Sequence, residues 1–126
     1  MKNNYRRILS IGLLSVLVVS LVFMLTGCGF LAKAPTAEIS VDPGTSVNVG
    51  EDVEFDGGDS DPGGSNAEIT DYDWTFPDEF TVSGSSDDNS VQSGSFSTAD
   101  SYTVTLEVTN DAGKSDEDSV EIDVSS

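Results

Sequence analysis

From Thr36 onward, apolar and polar side chains alternate at a period of two, the repeat of half-buried β-strands, and helical periodicity is absent. Ala37, Ile39 and Val41 share one face against Glu38, Ser40 and Asp42, and Pro43-Gly44 then turns the chain. Val47 and Val49 make a second short piece, and Val53 and Phe55 a third. Residues 57–67 hold too much Gly, Asp and Ser to be anything but loop. Beyond Ile69, the residues Tyr72, Trp74 and Phe76 set three aromatics on one side of a strand. The clearest alternation is Tyr102, Val104, Leu106 and Val108 against Thr103, Thr105, Glu107 and Thr109. Asn110-Asp111-Ala112-Gly113 turns the chain again, and Val120, Ile122 and Val124 form the last inward face. Residues 80–95 leave their strand limits open. About seven short strands with turn signals between them predict an all-β, antiparallel β-sandwich. A Trp offers more than about 150 Å² to bury, so Trp74 is expected at the centre of a core that also holds Phe55. Tyr102 is placed to fasten its hydroxyl to an upstream backbone group.

The N-terminal pattern is different. Residues 8–26 are almost continuously apolar and follow Lys2, Arg6 and Arg7. A run of about 18 to 20 apolar residues is long enough to cross a bilayer core, which makes a permanent transmembrane helix one reading. A basic start, an apolar centre and small residues at the end are also the layout of a removable signal helix, and this is the preferred reading. Arg6-Arg7 also permits twin-arginine export, although so apolar a segment favours general secretion. The run ends on Leu25-Thr26-Gly27-Cys28, which contains the only cysteine. That tetrapeptide resembles the lipobox of prokaryotic lipoproteins. The resemblance implies lipid on the Cys28 sulfur, cleavage before it, and a mature chain anchored to the cell membrane or outer envelope with its domain outside. The expected organisation is a signal peptide over 1–27, a lipidated tether over 28–35 and one domain over 36–126. With its sulfur consumed, the chain has no thiol for a disulfide and must rely on packing, or on packing with bound ions. Two acyl chains supply the two membrane signals that stable anchoring needs.

Charge narrows the partners. All 23 carboxylates follow Cys28, where only Lys33 and Lys114 are basic, so residues 28–126 carry a net −21. Such a surface repels phosphate backbones and anionic headgroups, which excludes nucleic acid as a partner. Low Lys and abundant Asp also suit work in high salt, where counterions screen self-repulsion.

Several blocks in sequence carry a second resemblance. They are Pro35-Thr36-Ala37, Gly50-Glu51-Asp52-Val53-Glu54-Phe55-Asp56, Asp59-Ser60-Asp61-Pro62, Ile69-Thr70-Asp71-Tyr72-Asp73-Trp74-Thr75-Phe76, and Tyr102-Thr103-Val104-Thr105-Leu106 leading to Asn110 and Gly113. Residues 36–125 resemble a PKD (polycystic kidney disease) domain, which implies an immunoglobulin-like sandwich of the kind found on cell surfaces. After Trp74 the chain reads Thr75-Phe76-Pro77-Asp78-Glu79, where the family favours Asp-Phe-Gly-Asp-Gly, so that turn is expected to be rebuilt.

The chemistry on offer is sparse. The chain has no His, and its one Cys is committed, so a Ser or Thr nucleophile lacks the usual imidazole base. Adjacent carboxylates such as Asp87-Asp88 and Asp116-Glu117-Asp118 follow from composition alone, and no enzyme is predicted. The resemblance places Asp59, Asp61 and Asp78 near loop positions that ligate Ca²⁺ in some PKD domains, and hard oxygen ligands are what Ca²⁺ requires. Gly63 stands where an acidic residue is frequent, and solvated acidic loops are the simpler reading. No other cofactor is expected. A sugar platform needs exposed aromatics, for which only Phe30 and Phe80 are free of the core pattern. The expected function is that of a lipid-anchored, non-catalytic module for protein interaction or envelope structure. The alternatives are Ca²⁺-dependent adhesion or polysaccharide binding, and service as an accessory subunit of a separate extracellular hydrolase. The partner, protein or polysaccharide, is not named by the residues.

Overall fold

In the computed structural model the described residues are 32–126, and Lys33–Ser126 form one compact unit. The signal segment, Cys28 and Phe30 lie outside the described residues. Eight strands run in order: β1 (Ser40–Asp42), β2 (Ser46–Asn48), β3 (Val53–Asp56), β4 (Ile69–Thr75), β5 (Phe80–Ser85), β6 (Val91–Phe96), β7 (Ser101–Asn110) and β8 (Ser115–Ser125). They form two four-stranded sheets, ordered β1-β3-β6-β5 and β2-β8-β7-β4. Every pairing is antiparallel except β2 with β8, which is parallel. The fold is therefore the expected all-β sandwich.

Pro43-Gly44 does not close a hairpin. It carries the chain from one sheet, where β1 pairs with β3, to the other, where β2 pairs with β8. The odd three-residue step from Ile69 to Tyr72 has a local cause as well. The register of β4 on β7 shifts between Ile69 and Asp71, a bulge that restores the inward phase of Tyr72 and Trp74.

The centre of the core is Phe55, which is 0% exposed and has edge-to-face or tilted contacts with Trp74, Phe76 and Phe80. Val53, Phe96, Val104 and Ile122 close around it. Trp74 takes a different place from the one expected. It is half-buried on edge strand β4, stacks on Phe76, and packs against both the Phe55 cluster and a second cluster of Ala37, Leu106 and Val108. An edge strand has a neighbour on one side only, so its ring cannot be enclosed like that of Phe55 on the inner strand β3.

β5 and β6 occupy the stretch whose strands the pattern left open. The buried positions of β6 are Gln92, Gly94 and Phe96, which gives no apolar alternation to read. A β-carbon on Gly94 would collide with the Thr81 carbonyl oxygen and with the Phe80 ring, which lies over the gap. Close approach of β5 to β6 therefore requires glycine here.

Candidate functional site

The three aspartates offered for Ca²⁺ are not brought together. Asp59 and Asp61 sit in the loop after β3, and that loop lies at the Ile69 end of β4. Pro62 accepts a hydrogen bond from the Asn110 side chain (2.9 Å), and Asn110 pairs with Ile69. Asp78 follows the other end of β4, beyond Thr75. A strand of this length spans roughly 20 Å at about 3.3 Å per residue, whereas Ca²⁺ holds its ligands at about 2.3–2.6 Å. Asp61 is already engaged: its main chain pairs with Thr36 (2.8 and 2.9 Å), and its carboxylate accepts from the Gly63 amide (2.6 Å). Among the described residues no group of three or more Asp, Glu, His or Cys side chains is arranged to hold a metal ion.

Asn110 organises the end of the sandwich at which the described chain begins. It is 2% exposed, and its side chain makes four hydrogen bonds. The amide nitrogen donates to the carbonyls of Lys33 (3.0 Å) and Pro62 (2.9 Å), while the oxygen accepts from the amides of Ala112 (3.2 Å) and Lys114 (3.0 Å). One side chain thus joins the start of the unit, the β3–β4 loop and the β7–β8 turn. A buried amide left without these partners would cost stability, so the arrangement is a satisfied structural hub. Gly63 packs beside it at φ 98°, where an added β-carbon would lie 2.5 Å from the Ala34 carbonyl oxygen.

Asp116 and Asp118 have a role that composition concealed. They lie on the inward side of β8, opposite Val108 and Leu106 of β7. Their carboxylates accept from the amides of Ala37 (2.9 Å) and Ile39 (3.1 Å). β2 pairs only with Asp123–Ser125, so these side chains hold the segment before β1 along a part of β8 that lacks a strand on that side. The signal available in sequence was the continuation of the inward phase of Val120, Ile122 and Val124 backward through Asp118 and Asp116.

At the opposite flank, Tyr102 stacks on Phe96 and donates its hydroxyl to the Thr98 carbonyl (3.2 Å), with the Thr98 hydroxyl 2.6 Å away. This is a tyrosine corner four residues upstream of the ring. The turn between β5 and β6 is also polar. Asp88 accepts from the hydroxyls of Ser90 (2.7 Å) and Ser86 (2.8 Å) and from the Ser90 amide (3.2 Å). The Ser90 hydroxyl, then the Ser86 hydroxyl, then the Ser90 amide stabilise the carboxylate and lower its pKa from 3.8 to about 2. Asn89, at φ 64°, donates to the Tyr72 carbonyl (2.8 Å) and accepts from the Gln92 side chain, while its own carbonyl accepts the Trp74 indole N–H (2.9 Å). Burial, then the charges of Asp88 and Asp56, push the Tyr72 phenol pKa above its ordinary value.

Phe80, one of the two aromatics left for a sugar platform, is buried at 7% exposure, stacked on Phe76 and tilted against Phe96. Turn chemistry explains its position. Phe80 donates its amide to the Pro77 carbonyl (3.1 Å), closing a turn that dispenses with the family's glycines.

Comparison with known proteins agrees with this architecture. The chain is 30% identical over 74% of its length to the PKD1 domain of the Vibrio cholerae metalloprotease PrtV, covering 99% of that domain with a TM-score of 0.53. The PKD1 domain of Vibrio anguillarum Epp is 25% identical over 75% of this chain and 96% of that one, with a TM-score of 0.54. A structure described for the promiscuous specificity of carbohydrate-binding modules of the β-sandwich superfamily is 27% identical over 75% of this chain, with a TM-score of 0.61. This chain spans only 35% of that structure's length. The sequence pattern that defines the PKD domain matches residues 32–124, and the chain belongs to the PKD domain family.

Proposed function

We propose that this protein is exported, held on the cell envelope by lipid at Cys28, and presents its PKD sandwich outside as a non-catalytic interaction module. The observation that carries the non-catalytic reading is the satisfaction of the interior. Among the described residues every buried side-chain nitrogen and oxygen has a hydrogen-bond partner. Asn110, Gln92, Ser60 and Ser90, the buried polar residues, serve turns and loops. Among the described residues no interior polar group is left without a partner inside the fold. The anchor rests on the lipobox-like Leu25-Thr26-Gly27-Cys28 after an apolar run.

The test is mass spectrometry of the membrane-bound protein with fractionation of Cys28→Ser. A mature N-terminus at a diacylated Cys28, and release or mislocalisation of the variant, is the expected result. An intact residue 1 with a free thiol overturns the anchor.

A second reading, polysaccharide binding, draws on the likeness to the carbohydrate-binding structure. Retention of the full chain on insoluble polysaccharide, competed by soluble oligosaccharide, would favour it over a protein partner.

A further inference from the structure

The first residues of a domain are poorly ordered unless something ties them down, and here they are tied down. The Lys33 carbonyl is held by the Asn110 side chain (3.0 Å), and the main chains of Thr36 and Asp61 pair (2.8 and 2.9 Å). The amides of Ala37 and Ile39 donate to the Asp116 and Asp118 carboxylates (2.9 and 3.1 Å). Only five peptide links separate Cys28 from Lys33, a reach of at most about 18 Å. The Asn110 hub lies at the end of the sandwich that carries the β3–β4 loop and the β7–β8 turn. From there β8 runs eleven residues, roughly 35 Å at about 3.3 Å each, to the far end. The β4–β5 and β6–β7 turns lie at that far end, and Gly50 of the β2–β3 turn joins them by donating to the Phe96 carbonyl (2.9 Å). Charge is graded along the same axis. Lys33 and Lys114, the only cations after Cys28, both flank Asn110, whose main-chain amide donates to the Lys114 carbonyl (2.8 Å). Carboxylates sit at this end too, among them Asp59, Asp61, Glu68 and Asp111, so it is the less repelled end and not an attracted one. The far turns carry Glu51, Asp52, Asp78, Glu79 and Asp100 and no cation.

We infer that the sandwich stands end-on at the membrane, with its Asn110 end beside the headgroups and the far turns held out as the face a partner meets. The tether sets which end is near, because the pinned start of the unit leaves only residues 29–32 free between lipid and fold. Repulsion sets the tilt. A body of net −21 hinged at one end beside an anionic leaflet swings its free end away, since lying flat brings the carboxylates of a whole side within a Debye length, about 8 to 10 Å at physiological salt. One side resists least: β5 and β6 carry no charge, and lying on that side is the arrangement the test must exclude. The inference rests on the anchored-module reading and adds which surface of the module is presented.

The lipidated full chain, reconstituted into phosphatidylethanolamine–phosphatidylglycerol vesicles with nitroxide-labelled headgroups, tests it. Lipid consumes the Cys28 sulfur, so a fluorophore can be placed on one introduced cysteine at a time. The positions are Ser65→Cys in the β3–β4 loop, Ala99→Cys in the β6–β7 turn and Ser83→Cys on β5, all exposed. The expected result is strong quenching at 65, weaker quenching at 83 and none at 99. A flexible Gly-Ser insertion of about eight residues between Ala32 and Lys33 lengthens the tether and leaves the contacts of the unit in place. Quenching at 65 should then fall toward the level at 99, with an unchanged thermal melt. Equal quenching at 83 and 65 means that the sandwich lies on its β5–β6 side and overturns the end-on arrangement. Stronger quenching at 99 than at 65, or quenching at 65 that ignores the insertion, overturns it as well. Mass spectrometry of the same sample separates the two readings: a Cys28 without lipid overturns the anchor itself, and the end-on arrangement with it.

Discussion

The β7–β8 and β5–β6 hairpins belong to one small sandwich and are built by different physics. β7 and β8 pair over nine register positions from Ser101↔Asp123 to Thr109↔Ser115, and Val104, Leu106, Val108 and Ile122 between them are each 0% exposed. That hairpin is held by apolar burial along the unbroken alternation of β7 and the Val120–Val124 end of β8, at roughly 25 cal/mol per Å² removed from water. β5 and β6 offer the interior mainly Phe80, Phe96, Gln92 and a glycine. Their hairpin is held by close backbone approach at Gly94 and by the polar turn Ser86–Ser90, which Asn89 ties to β4. The first hairpin fails by losing volume, and the second by gaining it.

Leu106→Ala should produce the largest loss, roughly 2 to 5 kcal/mol in chemical denaturation, because it opens a cavity between the two sheets. A loss below about 1 kcal/mol would mean that the alternation is not what holds β7–β8. In the other hairpin the smallest possible enlargement, Gly94→Ala, should cost about 1 to 3 kcal/mol, since the Thr81 carbonyl is backbone and cannot swing aside. An unchanged midpoint would show that β5 does not lie so close to β6. Trp74→Phe keeps a ring in the same stack but removes the indole N–H donated to Asn89, and should cost about 1 kcal/mol with a matching loss of amide-exchange protection in Ser86–Ser90. Equal loss of protection in both hairpins would erase the distinction between them.

The smallest effect is a pH dependence. Asp88 is held at a pKa of about 2 against an ordinary 3.8, so its stabilising contribution is complete above that ordinary value and is lost as pH falls toward about 2. Asp88→Asn should therefore melt slightly below the parent near neutral pH, with the gap closing by about pH 2. A gap that persists in acid would mean that the Asp88 carboxylate does not order the turn through its charge.

Sandwich architecture and most strand positions were legible in sequence because a face buried by a pleated strand must repeat every second residue. Val53 and Phe55, the aromatics of β4, and the long run of β7 all announced themselves in this way. β6 did not, because its interior is filled from across the sheet by Phe80, and a Gly or Gln pointing inward carries no apolar signature. The acceptor role of Asp116 and Asp118 was hidden for a related reason. In a chain with 23 carboxylates, two more Asp carry no information until the fold sets the amides of Ala37 and Ile39 beside them.

The candidate Ca²⁺ group shows the same limit. Asp59, Asp61 and Asp78 were chosen by their positions along the chain, and only the fold shows that β4 separates the first two from the third. By itself the sequence determined the fold class, the strong negative charge and the lipobox-like Cys28, because periodicity, composition and short motifs are local properties of a chain. Tertiary structure alone decided that Phe55 and not Trp74 sits at the centre, that Asn110 joins three segments, and that β5 is left as the uncharged edge. Those depend on which strands become neighbours, and neighbourhood between distant segments is set by packing of the whole chain.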